Sequence, residues 1–475
     1  MATRVDAQQR RYATIFKLGL EVNVDTRVST VSAPKEQQQW RGEPSPPWPA
    51  PTVGDVAITG DRYTSRVFFA DEWEHIWTKV WLLLGRSVLL PEPGDYQVEE
   101  VGPESIIMAR QPDGSVRSFY NVCQHRGSRL TFATKGSTDK FTCPYHGWTY
   151  GTDGTLVHLQ DAEDFPGNPC EDLRLAELKT EEFAGFVWVS MDPDAGPLRE
   201  FLGPLYDEWA AYQVDEWPRV TALTANVDCN WKVIQDNFCE SYHLPTVHRQ
   251  LMESHEESYR NTDFQMSEAG HNRMIMLGAQ PSVTQYGDDP PLPQVLRDRL
   301  ETWELDPQDF VDDPVACRLA IQAQMRKLGP ERGHHHYDQL RDQQFTDAHH
   351  YNLFPNCSLT FNADGLLMQR MRPHPTDPEK CVFDHWYYAF DAVADGATNI
   401  RLDGADAEHQ VFDYGDRPMG LIPDQDISIT QGQQLGMRSR GFTHAILGGQ
   451  ETRVAWFHQV IDEYIAGDRP KEGST

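Results

Sequence analysis

The sequence predicts an α+β protein in which a β-rich segment precedes a larger domain of mixed helices and strands. Its 475 residues exceed one small module and suit two domains. From Trp81 to about Ser190, short apolar runs alternate with turn signals, as in antiparallel sheet. Further along, apolar residues recur with helical spacing. We therefore expect an N-terminal arm at residues 1–60, a first domain at 61–195 and a second at 196–475.

The β-rich segment is expected to follow the arm and one short helix. Residues 43–51 contain too much proline for a helix or a central strand, so we expect an irregular arm there. Asp-Gly pairs between apolar runs predict tight hairpins. The expected elements are a helix over about 70–80 with Trp73 and Trp77 on one face, hairpins at Asp113-Gly114 and Asp153-Gly154, and a strand over 183–189.

The second domain is expected to combine helices and strands around an irregular middle. Residues 250–340 are polar and rich in proline, so we expect little regular structure there beyond one helix. Elsewhere the apolar spacing separates helix from strand. The expected elements are helices over 198–212, 231–248 (disturbed near Pro245), 315–328, 424–439 and 453–465, and strands over 220–227 and from Tyr351 onward.

Charge and cysteine content exclude several classes of function. Lys and Arg total 42 against 72 Asp and Glu, which gives a net charge of −30. Nucleic acid and anionic lipid both require a basic surface, so we expect neither as a partner. We find no stretch of ~20 apolar residues and no secretory signal pattern, and we expect a cytoplasmic protein. Eight cysteines in 475 residues do not make a disulfide framework.

Two close Cys/His pairs stand out in the β-rich segment. Cys123 and His125 form a Cys-x-His pair, and Cys143 and His146 form a Cys-x-x-His pair. Two thiolates and two imidazoles can hold a structural zinc ion. They also match a [2Fe–2S] cluster in which two Cys bind one iron and two His bind the other. A glycine close after each histidine lets backbone N–H groups approach cluster sulfurs, which favours the cluster.

The full motif, Cys-Gln-His-Arg-Gly followed by Cys-Pro-Tyr-His-Gly-Trp, resembles the cluster motif of Rieske non-haem iron oxygenases, in their large (α) subunit. The resemblance covers about residues 60–465. It implies a β-rich Rieske domain whose [2Fe–2S] cluster is bound by Cys123, His125, Cys143 and His146. It also implies a helix-grip catalytic domain with an antiparallel sheet that holds a mononuclear Fe(II).

A second candidate metal site contains His243 and His248. Their spacing of five does not place both side chains on one face of a straight helix, but Pro245 disturbs the helix between them. Alone, such a pair is a weak signal. Within residues 230–248, however, it resembles the mononuclear iron segment of the same family. Two His and one carboxylate would complete a site that leaves coordination positions open for O₂.

The resemblance implies that the carboxylate ligand lies far downstream, ahead of a Gln-x-Gly pattern. Asp426 lies eight residues before Gln434 and is the predicted ligand. Asp424 is the competitor, and we expect its side chain to point elsewhere because it lies two residues earlier on a helix.

Three further residues receive predicted roles from the resemblance. The family has an acidic residue three positions before the first His ligand, which bridges to a cluster His of the neighbouring subunit. That position is Glu240 here, where Asp is commoner. Asp236 and Asn237 match an acid–Asn pair in the same segment and are, with Glu240, the predicted catalytic residues. An ordinary helical role for that pair stays open.

Two histidine tracts and a set of apolar residues are also notable. His334–His336 and His349-His350 have no accompanying Cys or carboxylate pattern, so we expect solvated loops, with a pocket role as the alternative. We expect the pocket to be shaped by residues 250–370. The candidate apolar pocket residues are Met252, Phe264, Met266, Met274, Met276, Phe354 and Phe361, each of which by itself fits a structural core better than a substrate contact.

The resemblance implies a terminal oxygenase in aromatic compound catabolism. Electrons would reach the cluster from a separate ferredoxin or reductase, pass through Glu240 and arrive at Fe(II). Iron would then activate O₂ to hydroxylate an organic, aromatic or hydrophobic substrate. The sequence has no nicotinamide or flavin fingerprint, which favours a separate reductase. The family forms rings of three α subunits, so we expect a homotrimer or an α3β3 assembly.

Two alternatives to ring hydroxylation stay open. One is a monooxygenase that removes N- or O-methyl groups, which Glu240 slightly favours. The other is an electron-transfer protein without oxygenase turnover, which the set of three predicted iron ligands argues against.

Overall fold

The computed structural model describes residue 48 and residues 52–54, 56–167, 169–390 and 406–469. The N-terminal arm predicted for residues 1–60 lies mostly outside them. The described residues form helices and largely antiparallel sheets, so the predicted α+β class is confirmed. Within these residues, no helix is both long enough and apolar enough to cross a bilayer.

A helical segment precedes the first sheet and begins earlier than the sequence predicts. It comprises α1 (Asp61–Thr64), α2 (Arg66–Glu72) and a π-helical turn at Trp73–Trp77. The early start has a local cause, because the hydroxyl of Ser65 accepts hydrogen bonds from the amides of Val67 and Phe68 at 3.2 and 3.3 Å. Such a cap satisfies amides that have no partner within the helix.

Ten strands and a short helix follow. The strands are β1 (Trp81–Arg86), β2 (Asp95–Val101), β3 (Glu104–Arg110), β4 (Val116–Tyr120), β5 (Lys135–Ser137), β6 (Lys140–Thr142), β7 (Thr149–Gly151), β8 (Leu156–His158), β9 (Glu177–Phe183) and β10 (Phe186–Ser190), with α3 (Pro169–Asp172) between β8 and β9. They form a seven-stranded sheet in the order β1-β10-β9-β4-β3-β2-β5 and a three-stranded sheet, β6-β7-β8.

Both predicted hairpins are present, and the strand predicted over 183–189 begins only at Phe186. The Asp-Gly pairs join β3 to β4 and β7 to β8. The run 183–189 instead contains the turn between β9 and β10. Ala184 and Gly185 adopt φ of 52° and 79° there, and this left-handed conformation ends a strand. The sequence did not predict this turn because the residues around it are aromatic and β-branched, which favours a continuous strand.

The seven-stranded sheet separates two hydrophobic cores. Because side chains alternate along a strand, β3 sends Ile107 and Ala109 into one core and Ile106 and Met108 into the other. The first core also contains Cys123 and is confined to the β-rich region. The second core continues into the rest of the protein. The predicted first domain thus shares its larger core with the predicted second one.

The remaining elements build one large sheet with helices around it. They are α4 (Leu198–Leu202), α5 (Pro204–Ala210), β11 (Arg219–Val227), α6 (Trp231–Asn237), α7 (Leu244–Val247), β12 (His255–Glu256), β13 (Asp263–Met266), β14 (Asn272–Gly278), α8 (Val283–Tyr286), α9 (Gln294–Thr302), α10 (Cys317–Leu328), β15 (Ala348–Leu353), β16 (Cys357–Asn362), β17 (Gly365–Pro373), β18 (Cys381–Ala389), β19 (Gln410–Asp413), α11 (Leu421–Met437) and α12 (Thr452–Ala466). The sheet order is β12-β14-β15-β16-β17-β18-β11-β19, with β13 paired to β14.

Three expectations for this region need correction. The helix predicted over 198–212 is interrupted at Gly203-Pro204. The helix predicted over 231–248 ends at Asn237, well before Pro245, which lies in the first turn of α7. The middle region is also more regular than expected, since β14 is a fully buried strand. The polar residues Asn272 and Arg273 made this strand look like an exposed loop in the sequence. Both are hydrogen-bonded inside the protein, to Arg453 and Glu208 respectively.

Candidate metal sites

The two Cys/His pairs lie on loops with matching backbone geometry. In one loop the amide of Cys123 donates to the carbonyl of Ser128 at 2.8 Å, and that of Gly127 donates back to Cys123 at 3.0 Å. In the other, Cys143 donates to Trp148 at 2.8 Å and Gly147 donates to Cys143 at 3.1 Å. Each loop therefore closes on its own cysteine.

Glycine is required in both loops by backbone conformation and not by crowding. Gly127 and Gly147 have φ of 75° and 71°, in the left-handed region that other residues avoid. A Cβ atom at either position would meet nothing within 4 Å. The two glycines thus turn the chain and leave the backbone around the cysteines open to approach.

The four predicted cluster ligands converge. Cys123 and Cys143 are buried, whereas His125 and His146 are partly exposed, with ring centroids 4.7 Å apart. Trp148 stacks on His125 at 4.7 Å and covers it. Nδ1 of His146 is buried and has no hydrogen-bond partner among the described residues, which suits a nitrogen that binds metal. The donor set fits a [2Fe–2S] cluster with its histidine end towards solvent.

Hydrogen-bond donors surround the two sulfurs. The hydroxyl of Tyr150 lies 3.4 Å from Sγ of Cys123. Burial raises the pKa of Cys123. Burial also opposes ionisation of Cys143, but hydrogen bonds from the backbone of Tyr145 and His146 contribute to a net lowering of its pKa. Donors of this kind stabilise negative charge on sulfur and influence the potential of a bound cluster.

The predicted iron ligands come together from two separate segments of the chain. His243 and His248 flank the short helix α7, and Asp426 lies on α11. One ligand atom from each residue fits within 4.8 Å of the others. Nε2 of His248 lies 2.7 Å from Oδ1 of Asp426, and Nε2 of His243 lies 3.6 Å from the same oxygen. The three residues, called the triad below, fit one metal ion.

Neighbouring side chains fix which nitrogen of each imidazole faces the triad centre. Nδ1 of His243 lies 2.7 Å from Oε1 of Glu240, and Nδ1 of His248 lies 2.8 Å from Oε1 of Gln425. Because both partners are hydrogen-bond acceptors, each Nδ1 carries the proton. Each Nε2 then offers its lone pair to a metal, the arrangement that carboxylates and amides commonly impose on metal-binding histidines.

Asp426, and not Asp424, is placed as the carboxylate of the triad. Asp426 is 1% exposed, and its Oδ1 accepts a hydrogen bond from Asn237 at 3.0 Å. Its Oδ2 is buried without a partner among the described residues, which suits a metal-binding oxygen. Asp424 instead accepts hydrogen bonds from the amides of Met419 and Gly420, where it caps the start of α11.

The two predicted acidic residues, Glu240 and Asp236, make different contacts. Glu240 contacts the triad through His243, and both acidic residues border the same cavity of about 380 Å³. Asp236 accepts a hydrogen bond from Tyr63 at 2.6 Å and lies 3.1 Å from Nε2 of His458. Its described contacts therefore join the N-terminal and C-terminal helices to α6, and none of them reaches the triad. The catalytic role of Asp236 stays a prediction.

The histidine tracts are not solvated loops. His349 and His350 lie on β15 and are buried, and burial lowers the pKa of each to about 3. His334 and His336 are also buried, and only His335 between them is exposed. The expectation was wrong because polar residues around each tract were taken as a sign of surface. Tertiary hydrogen bonds instead satisfy His334, His336 and His350 inside the protein. Both ring nitrogens of His349 are buried without a hydrogen-bond partner among the described residues.

Four of the seven candidate pocket residues form a separate buried group beside the triad segment. Leu244, which follows His243, belongs to it. We call this group the methionine cluster, and its members are Leu244, Met252, Met274, Met276 and Ala348, with Leu251 and Phe264 packed against them. Phe354 and Phe361 belong to the main core, and Met266 packs against that core. Because these three residues belong to the main core or pack against it, their role is structural.

Sequence reasoning missed two residues that contact the sites. Gln425 orients His248, and its position next to Asp426 was the available signal. Tyr150 donates towards Cys123 and also binds the amide of Gln124 at 3.1 Å. No motif marked Tyr150, because it lies on β7, 27 positions after Cys123, and only the fold brings its hydroxyl to that thiol.

Comparison with known families agrees with this geometry. Residues 214–467 match the family described as "Ring hydroxylating alpha subunit (catalytic domain)". The chain belongs to that family. Residues 80–171 match the "Rieske [2Fe-2S] domain". The protein thus combines a Rieske domain for a [2Fe–2S] cluster with a catalytic domain for non-haem iron, as the sequence resemblance implied.

Curated relatives include monooxygenases and dioxygenases. The carnitine monooxygenase oxygenase subunit of Escherichia coli (strain K12) is 34% identical over 188 residues, which cover 39% of this chain and 50% of the relative. The biphenyl 2,3-dioxygenase subunit alpha of Rhodococcus jostii (strain RHA1) is 33% identical over 192 residues, covering 39% and 42%. The chain therefore spans about half the length of the curated relatives it matches.

Solved structures share the fold along most of the chain. A quaternary ammonium Rieske monooxygenase, CntA, in complex with an inhibitor has a TM-score of 0.61 at 20% identity, covering 86% of this chain and 95% of its own. Naphthalene 1,2-dioxygenase with indole bound has a TM-score of 0.61 at 19% identity, covering 87% and 94%. The fold is common to both kinds of oxygenase.

Proposed function

We propose that this protein is the terminal oxygenase component of a Rieske oxygenase system. The observation that carries the proposal is the convergence of His243, His248 and Asp426 in a chain that also holds two closed Cys/His loops. A protein that only carried electrons would need the loops but not the triad. When bound, the cluster supplies electrons one at a time and the mononuclear iron supplies the activation of dioxygen.

In this proposal the protein orients the metal ligands and limits access by water. Glu240 and Gln425 hold the two imidazoles with Nε2 directed at Asp426. Asn237 donates to the carboxylate and fixes its rotation. Trp148 covers one face of His125. Such supporting contacts commonly change metal affinity or activity by about 10–100-fold.

We further propose that electrons pass between neighbouring subunits of a homotrimer or an α3β3 assembly, through Glu240. Among the described residues, no hydrogen bond links the four cluster ligands to the triad of the same chain. Tyr145 beside His146 is 57% exposed, and Ile446 at the Glu240 cavity is 89% exposed. Exposed apolar side chains at both places suit contact with another copy of the chain.

We propose a hydrophobic organic compound, such as an aromatic, as the substrate. The methionine cluster supports this, since thioether and aliphatic side chains bind apolar surface and adapt to its shape. A second candidate is removal of N-methyl groups from a quaternary amine. Glu240 favours it slightly, and relatives include the glycine betaine monooxygenase oxygenase subunit of Chromohalobacter salexigens, 35% identical over 215 residues.

A ferredoxin or reductase is the proposed electron donor, since the sequence has no nicotinamide fingerprint. Seven of the eight cysteines are buried without a disulfide bond. Free thiols of this number suit a reducing compartment, so we propose a cytoplasmic location.

The test is turnover with a surrogate donor. The purified protein, loaded with iron and cluster, would receive electrons from a ferredoxin and its reductase in the presence of single candidate substrates. The panel would contain aromatic hydrocarbons, aromatic acids and quaternary amines. Oxygen uptake coupled to a hydroxylated product supports the main proposal, and formaldehyde release supports demethylation. Reduction of the cluster without oxygen uptake for any substrate would favour an electron carrier.

A further inference from the structure

A second group of two histidines and one aspartate lies away from the triad. His334 directly precedes a 3₁₀-helical turn at residues 335–339, which contains His336, and Asp364 lies in the hairpin turn between β16 and β17. One ligand atom from each fits within 4.8 Å of the others. Residues more than 25 positions apart along the chain therefore converge with the same donor set as the triad.

The internal distances of this group repeat those of the triad. Nδ1 of His334 lies 2.8 Å from Oδ1 of Asp364, and Nε2 of His336 lies 3.6 Å from that same oxygen. In the triad the corresponding distances to Oδ1 of Asp426 are 2.7 and 3.6 Å. In both places, two imidazole nitrogens face one carboxylate oxygen.

The surroundings of the group favour a bound cation. Tyr337 donates a hydrogen bond to Oδ2 of Asp364 at 2.6 Å, which fixes the carboxylate while Oδ1 faces the histidines.

Aromatic rings enclose the imidazoles, and only the carboxylate meets solvent. His334 and His336 have side-chain exposures of 7% and 2%, against 29% for Asp364. Phe390 lies 4.9 and 4.8 Å from the two imidazole centroids, and Trp217 lies 5.5 Å from that of His336. An apolar wall strengthens electrostatic attraction to a cation, and the exposed side offers entry and a position for water.

We propose that His334, His336 and Asp364 form a second metal site that binds one divalent transition-metal ion, with zinc as the best match. Two imidazoles, one carboxylate and a water molecule are a common tetrahedral zinc environment. In the described arrangement, Nε2 of His336 also lies 2.8 Å from the carbonyl oxygen of Ala363. Metal binding replaces that contact, so the ring proton moves to the other nitrogen. The ion joins the 335–339 turn to the β16–β17 hairpin and stabilises both.

The experiment uses full-length protein with its cluster intact and with Asp426→Ala, so that the triad does not compete. After chelation and removal of the chelator, zinc chloride is titrated by calorimetry, and cobalt chloride is followed by visible absorption. We expect one ion per chain. Asp364→Asn and His336→Ala should each weaken zinc affinity by about 100-fold or more, given that loss of even a supporting contact costs about 10–100-fold.

The chain offers a matched control within the same tract. His335→Ala removes the exposed histidine between the two ligands and should leave zinc affinity unchanged. Unchanged cluster absorption and circular dichroism would show that each variant is folded. Anomalous diffraction at the zinc edge, on crystals of zinc-loaded protein, gives an independent reading. Zinc bound equally well by Asp364→Asn, no saturable binding, or an anomalous peak elsewhere would each overturn the proposal.

Discussion

The cluster loops and the triad hold metal ligands in different ways. Each loop contributes a Cys and a His from a few consecutive residues, and backbone hydrogen bonds close it on its own cysteine. The triad collects its ligands from segments 178 positions apart, and side chains such as Glu240 and Gln425 orient them. The loops also present partly exposed histidines, whereas Asp426 and His248 are buried. Local backbone geometry therefore forms the cluster site, whereas tertiary packing forms the triad.

This difference separates the two sites experimentally. A ligand change in a loop should remove the cluster and leave the triad assembled, because the two sites lie in different hydrophobic surroundings. Replacing a ligand of the triad should remove the mononuclear iron and leave the cluster in place. The following variants test that independence, beginning with the largest expected effect.

Cys123→Ser should abolish both the visible absorption of the cluster and all product formation. Serine is a poor ligand for cluster iron, and electrons then have no entry to the protein. Absorption spectroscopy and oxygen uptake measure the two losses. Cys170→Ser, outside the two loops, is the control and should retain both signals. A cluster that survives in Cys123→Ser would contradict the assignment of this loop.

Asp426→Asn should reduce product formation by roughly 1000-fold or more while the cluster stays reducible. The amide lacks the charge that balances the metal ion, and loss of one member of an acting group removes most of its activity. Asp424→Asn is the matched control, since it lies on the same helix and caps its start. Equal losses in the two variants would show that the helix, and not the triad, had been damaged.

Glu240→Gln should slow single-turnover product formation by about 10–100-fold, with both metals still bound. The amide oxygen still accepts a hydrogen bond from Nδ1 of His243, but the negative charge on the proposed path between subunits is lost. Rapid mixing of reduced protein with substrate and oxygen measures the rate. Glu253→Gln, an exposed carboxylate beyond the triad segment, serves as the control. An unchanged rate would remove Glu240 from the path.

Tyr150→Phe should lower the reduction potential of the cluster by roughly tens of millivolts without loss of the cluster. Its hydroxyl lies 3.4 Å from Sγ of Cys123, and a hydrogen bond to sulfur favours the reduced, more negative state. A redox titration followed by absorption measures the shift. Tyr120→Phe on β4 is the comparison variant. A potential that stays the same, or rises, would mean that the hydroxyl does not donate to the sulfur.

The contrast between the sites also explains what the sequence could predict. The Cys/His loops were predictable in full because their ligands and glycines are contiguous. The two histidines of the triad were visible in one segment, but Asp426 required a resemblance, since no local pattern links it to His248. The role of Gln425 could not be predicted either, because only tertiary packing brings its side chain to His248, 177 positions earlier.

The failures of the sequence analysis also have a physical cause. β14 was missed because its polar Asn272 and Arg273 are buried with partners that are distant in sequence. The buried His334 and His336 were assigned to a solvated loop for the same reason, as their partner Asp364 lies in a later hairpin. Local polarity predicts exposure only where no tertiary partner exists.

The central claim is that one chain holds two kinds of iron site. Mössbauer spectroscopy of iron-loaded protein tests it most directly, because it distinguishes and counts iron environments. We predict about three iron atoms per chain, two in a cluster with one sulfur-bound and one imidazole-bound iron, and one ferrous ion with nitrogen and oxygen ligands. A spectrum that shows the cluster alone would contradict the account. So would a spectrum without the cluster, combined with metal analysis that finds zinc bound by Cys123 and Cys143.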